Sequence, residues 1–164
     1  TLRLLILMPA LWLAGCSLFD GRGGDRIDTP SLETLRAAPL SVTVDGTDLV
    51  LRTAMWRDFM PVSPPDGRGL IAIFYVATID SSDIPARLTA TAGFVVNGDD
   101  VWATEFTGET PAPSENKPFQ LVEFARNGPK FGPDIYVDAV VRLEDESGHE
   151  VLLRAADQFI GATY

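Results

Sequence analysis

The sequence has one cysteine, one histidine and only two lysines, Lys117 and Lys130, in 164 residues. Each scarcity excludes something. A single cysteine forms no internal disulfide and leaves no Cys-x-x-Cys pattern for metal or redox work. A lone imidazole, His149, would have to carry any Ser-His-Asp relay or zinc site by itself, and it sits beside Gly148 in a turn. Positive charge is short as well. Thirteen Lys and Arg face 23 Asp and Glu, a formal charge of −10, and no basic stripe appears, so no nucleic-acid partner is expected. No apolar run reaches the roughly 18–20 residues of a membrane-spanning helix. No G-x-S-x-G, H-E-x-x-H or P-loop pattern occurs. Met55, Met60 and His149 do not make the His/Met cluster that copper handling needs. No metal and no cofactor are expected.

What is present is a core. Apolar residues are 46% of the chain, enough to bury one domain and too many for a disordered polypeptide. The first twenty residues, TLRLLILMPALWLAGCSLFD, follow a different pattern from the rest. Arg3 precedes an apolar stretch from Leu4 to Leu13, which ends in the small residues Ala14 and Gly15 before Cys16. A positive start, a short apolar segment and a small-residue site form a secretory signal. The stretch Leu13-Ala14-Gly15-Cys16 resembles the lipobox of bacterial lipoproteins. That resemblance implies that the Cys16 thiol is lipidated and that residues 1–15 are removed. It also implies an anchor in the cell envelope facing the periplasm, because two or three acyl chains at about 0.8 kcal/mol per buried CH₂ hold firmly. Ser17, where an Asp would signal inner-membrane retention, leans the expectation toward the outer membrane.

Residues 16–39 read as the lipidated Cys and a flexible tether, with Ser31 to Ala38 as the one stretch able to turn helical. From residue 40 to 164 the pattern changes to period two. Strands are expected at Leu40–Val44, Asp48–Trp56, Leu70–Asp80, Arg87–Val96, Val101–Phe106, Phe119–Ala125, Ile135–Leu143 and Glu150–Ile160, with Asp45-Gly46 and Asn97-Gly98 as hairpin turns. The expected fold is all-β, an antiparallel sandwich of seven or eight strands. The segment Asp134-Ile135-Tyr136-Val137-Asp138-Ala139-Val140 resembles the tyrosine corner of immunoglobulin and fibronectin III-like domains, which implies that kind of sandwich.

Alternate loops of such a fold share an end. The loops Arg57–Gly69, Asn97–Asp100 and Arg126–Asp134 fall together. Two of them place large apolar groups beside cations and among Gly and Pro: Trp56-Arg57-Asp58-Phe59-Met60-Pro61, then Arg68, and Lys130-Phe131. Aromatic, Met and Arg side chains are enriched at interface centres, and stiff loops lose little entropy on binding. Arg57, Phe59, Met60, Arg68, Lys130 and Phe131 are therefore the candidate protein-binding residues. The alternative is that Trp56, Phe59 and Phe131 plug the end of the sandwich. The opposite end is acidic, at Asp80, Asp83, Glu109, Glu115 and Glu144-Asp145-Glu146, with no spacing that matches a calcium loop. The expected function is a non-catalytic binding or accessory module of the envelope, attached to the membrane and engaging an envelope protein. A carboxylate-based hydrolase of envelope polymers would instead need two facing carboxyls. A carrier of small apolar ligands would need a hollow core.

Overall fold

The computed structural model describes residues 27–164. The expected signal, Cys16 and the first part of the tether lie outside the described residues. Helix α1 (Leu32–Ala37) precedes eight strands: β1 (Ser41–Val44), β2 (Thr47–Asp58), β3 (Ile71–Thr78), β4 (Thr89–Asn97), β5 (Asp100–Thr104), β6 (Gln120–Ala125), β7 (Ile135–Glu144) and β8 (Glu150–Thr163). The fold is all-β apart from that one helix, as the alternating pattern predicts. Asp45 and Gly46 close the first hairpin with φ of 49° and 78°, the left-handed geometry its two-residue turn requires. The second hairpin turns at Gly98 and Asp99, one residue later than its Asn-Gly signal, because Asn97 is still paired with Asp100.

The strands form one curled, mixed sheet in the order β5-β4-β7-β8-β2-β3-β6, with β1 added on β2. This differs from an all-antiparallel pair of separate sheets. Strand β2 is the reason. Leu49 to Trp56 pair antiparallel with β3, while Met55 to Asp58 pair parallel with Ile160 to Thr163 of β8. One long strand thus belongs to both halves. The halves curl until their inner faces meet. Leu49, Leu51 and Met55 of β2 join Phe74 and Val76 of β3, Val141 and Leu143 of β7 and Leu153 of β8 in one core. Phe74 also lies against Gly93 of β4, where an added Cβ would stand 2.9 Å from the ring, so that close approach needs glycine. Phe106, expected at the end of a strand, instead leaves β5 and turns inward to meet Phe74 edge-on at 5.5 Å.

Two outer faces are covered as well, which explains the near-continuous apolar runs of β3 and β4. Leu35 (0% exposed) and Ala38 of the α1 segment pack on Ala92, Phe94, Val96 and Val140. Ser31 caps the helix, its Oγ accepting from the Thr34 N–H at 3.1 Å. The stretch read as tether from residue 31 onward is therefore part of the domain, because Leu35 supplies the apolar contact that pins it. On the other outer face Ile73, Val122 and Phe124 cluster with Ala54, Trp56 and Tyr75. Tyr136, which carries the tyrosine-corner resemblance, stands at the start of β7; it is 67% exposed, and its ring leans on Phe159 at 5.3 Å.

Candidate binding surface

The phase of β2 puts Leu49, Leu51 and Met55 inward, and the next residue of that phase is Arg57. Arg57 is consequently buried, at 5% exposure. A buried guanidinium needs acceptors for its planar fan of N–H groups. Arg57 finds them on two loops. Its Nε donates to the Arg68 carbonyl at 3.0 Å and its Nη2 to the Asp66 carbonyl, both in the β2–β3 loop. Its Nη1 donates to the Gly132 carbonyl at 2.7 Å, and the Lys130 carbonyl lies at 3.5 Å, both in the β6–β7 loop. The guanidinium also lies 5.0 Å from the centre of the Phe59 ring, within cation–π range.

Further bonds stitch the same loops. The Leu70 and Gly128 backbones exchange hydrogen bonds of 3.0 and 3.2 Å. A Cβ on Gly69 would fall 2.5 Å from the Gly128 carbonyl oxygen, so the approach requires glycine. Lys130 pairs with Asp66, and this hydrogen bond holds the Asp66 carboxyl below its ordinary pKa. Arg68 pairs with Asp58 at 3.5 Å. The Met60 N–H donates to the Asp58 carboxylate at 2.8 Å and is the chief reason that the Asp58 pKa is lowered. Trp102 of β5 packs on Gly128, so the β4–β5 hairpin stands at the same end of the molecule.

The six candidate residues have separate fates. Arg57 is an internal brace and presents no surface. Phe131 packs against the main core. Phe59 is half-buried, held between Arg57, Gly67 and the Tyr164 ring, which stacks on it at 5.7 Å. Met60, Arg68 and Lys130 are exposed, and the two cations are matched by Asp58 and Asp66. Two residues that sequence reasoning passed over join Met60 here, Val62 at 84% exposure and Tyr164 at 80%. Val62 had a signal in its place between Pro61 and Ser63 of a stiff loop. Tyr164 had none, because only the β2–β8 pairing brings it back to Phe59.

The acidic loops are not assembled into one site. Glu109 is drawn away to Arg126 of the β6–β7 loop, with bonds of 2.6 and 2.8 Å, and its pKa falls from 4.5 to about 2, chiefly through Arg126 and then Thr107. Glu115 accepts from the Tyr75 hydroxyl at 3.1 Å. Burial first, and then this carboxylate, push the Tyr75 pKa up. Asp145 accepts from Ser147 and the His149 N–H, closing its own turn. Among the described residues, no group of three or more His, Cys, Asp or Glu side chains is placed to hold a metal ion. No helix among them is long and apolar enough to cross a membrane. Compared with known proteins, the chain matches no family model, no curated protein and no solved structure.

Proposed function

We propose that this chain is a lipid-anchored, non-catalytic binding module of the bacterial envelope, docking a protein through Met60, Val62 and Tyr164. The observation that carries the reading is an exposed apolar knuckle on loops fixed from beneath by a buried arginine. Stiff loops keep the ordering cost of association low. The flanking cations, Arg68 and Lys130, are already matched by carboxylates. An apolar centre with a charge-balanced rim suits a protein partner. An anionic lipid surface would call for unmatched cations. The strand order supports an immunoglobulin-like arrangement, in which β2, β3 and β6 stand for strands A, B and E, and β4, β7 and β8 for C, F and G. The anchor rests on the Leu13-Ala14-Gly15-Cys16 resemblance.

The test is photo-crosslinking in living cells with the reactive residue at Met60 or Val62, and at Ser147 on the opposite end as control. A discrete protein adduct from the first two positions alone is expected. Adducts equal at all three positions, or none at Met60 and Val62, would remove the site. The anchor is tested separately: Cys16→Ala should move the chain from the membrane to the soluble fraction. An unchanged membrane fraction would end the lipoprotein reading without touching the docking surface.

A further inference from the structure

Charge on this chain is unequally shared, 13 cations to 23 carboxylates, so every Arg or Lys has a surplus of possible partners. Among the described residues all but two of the cations are taken. Seven pair with a carboxylate, and Arg57 is held by carbonyls. The exceptions are Arg52 and Lys117, and they meet at one place. Arg52 is exposed on the outer face of β2, between Val50 and Ala54, with Tyr75 of β3 as its cross-strand partner. Lys117 lies in the β5–β6 loop, where its N–H donates to the Glu115 carbonyl at 3.0 Å. The Glu115 carboxylate in turn accepts from the Tyr75 hydroxyl at 3.1 Å.

Two hollows share Arg52 as a wall, and their chemistry differs. One, of about 340 Å³, is polar and lined also by Thr53, Tyr75, Glu115 and Gln120. The other, of about 410 Å³, is lined on its apolar side by Val50, Ala77, Ile79 and Phe119, and Ile79 there is 60% exposed. In the polar hollow Arg52 and Glu115 carry opposite charges and do not pair with one another. Glu115 is held in place on its own side. Tyr75 fixes its carboxylate, and Gln120 Nε2 and the Lys117 N–H both donate to its carbonyl. A carboxylate that accepts one hydroxyl keeps room for further donors.

We propose that the two hollows together take one α-amino acid with an apolar side chain. Its carboxylate is received by the Arg52 guanidinium, its ammonium by the Glu115 carboxylate, and its side chain by Val50, Ala77, Ile79 and Phe119. Charge complementarity selects this occupant. A simple anion would suit Arg52 and be repelled by Glu115, and a simple cation would meet the reverse. A zwitterion satisfies both and spans the gap between them with charge-assisted hydrogen bonds. The apolar hollow then discriminates among zwitterions, since an alkyl or aryl group laid there takes apolar surface on both partners out of water. A carboxylate already fixed by Tyr75 keeps the ordering cost low. This site shares no residue with the Met60 knuckle, and either stands without the other.

The test titrates the full chain with L-leucine into the millimolar range, where a ligand of so few atoms is expected to bind, and follows the backbone amide resonances. Shifts gathered at Arg52, Tyr75 and Glu115 are expected. N-acetyl-leucine lacks the ammonium and leucinamide lacks the carboxylate. Each should bind the parent about tenfold more weakly than leucine, on the scale of one charge-assisted hydrogen bond. Each penalty should vanish in the variant without the matching group: acetylation costs nothing further in Glu115→Gln, and amidation nothing further in Arg52→Gln, with the melting temperature of both variants held. Glycine, which has nothing to lay in the apolar hollow, should bind more weakly than leucine. Absence of any shift localised at these residues, or leucinamide binding the parent as tightly as leucine, overturns the proposal. N-acetyl-leucine binding as tightly as leucine would overturn it in favour of a plain carboxylate site.

Discussion

At the scale of single residues, Arg57 shows how a charge ends up inside a β protein. Among the described residues it has no carboxylate partner, and it is satisfied by carbonyls on two loops. Arg57→Met keeps much of the volume and leaves those carbonyls without donors. It should cost about 3 kcal/mol, seen as a lower urea midpoint with an unchanged slope. Arg57→Lys should recover less than half of the loss, because one ammonium cannot reach acceptors spread around a planar fork. Glu109 is the pH-sensitive counterpart. Its pKa is depressed to about 2, so the Arg126 bond stabilises the fold above the ordinary 4.5 and is lost as pH falls through about 2. Unfolding followed from pH 5 to 2 should fall less steeply in Glu109→Gln than in the parent. Equal slopes would show that the pair is already broken in solution. Glu123 runs the other way. Burial raises its pKa, so the native state loses stability as pH rises from 4.5 through that higher value.

Elements add what single residues cannot. The α1 segment is held by Leu35, and Leu35→Ala should cost about 2–5 kcal/mol, the range for emptying a buried leucine site. A change near zero would return that stretch to the status of a tether. The loop junction is tested by Gly69→Ala, which sets a methyl against the Gly128 carbonyl and should cost about 1–3 kcal/mol. Gly98→Ala meets open space and should cost only the strain of its left-handed backbone. All eight strands were legible within about two residues at most ends, because period-two patterning and Asp-Gly and Asn-Gly turns are local signals. The exceptions were long-range. Strand β8 runs three residues past Ile160, and β2 two past Trp56, because the two strands pair there, and no local pattern announces a parallel partner 105 residues away in sequence. The helix was readable as an alternative from Ser31 onward. Its docking was not, because Phe94 and Val140 had to be placed beneath it first.

The same split holds for the whole molecule. Which loops share an end followed from counting strands, and Arg57 and Trp102 bear out the grouping of the β2–β3, β4–β5 and β6–β7 loops. Glu109 departs from its assigned end because Arg126 is the nearer charge. Which side chains at that end reach solvent depended on a fact outside the reach of pattern: Phe131 packs against the core, while Tyr164 returns to the surface beside Phe59.

The β2–β8 seam also has a mechanical meaning. Strand β2 enters from one end of the molecule and β8 leaves at the other, and they run parallel where they touch. Tension between the N-terminal side and Tyr164 would slide these strands lengthwise, loading the bonds of Met55–Asp58 against Ile160–Thr163 together. Tension across the outer edges β5 and β6 would peel bonds one at a time. A chain held on its N-terminal side and pulled through its last strand would therefore yield slowly, its lifetime under load governed by the rate of unfolding more than by equilibrium stability.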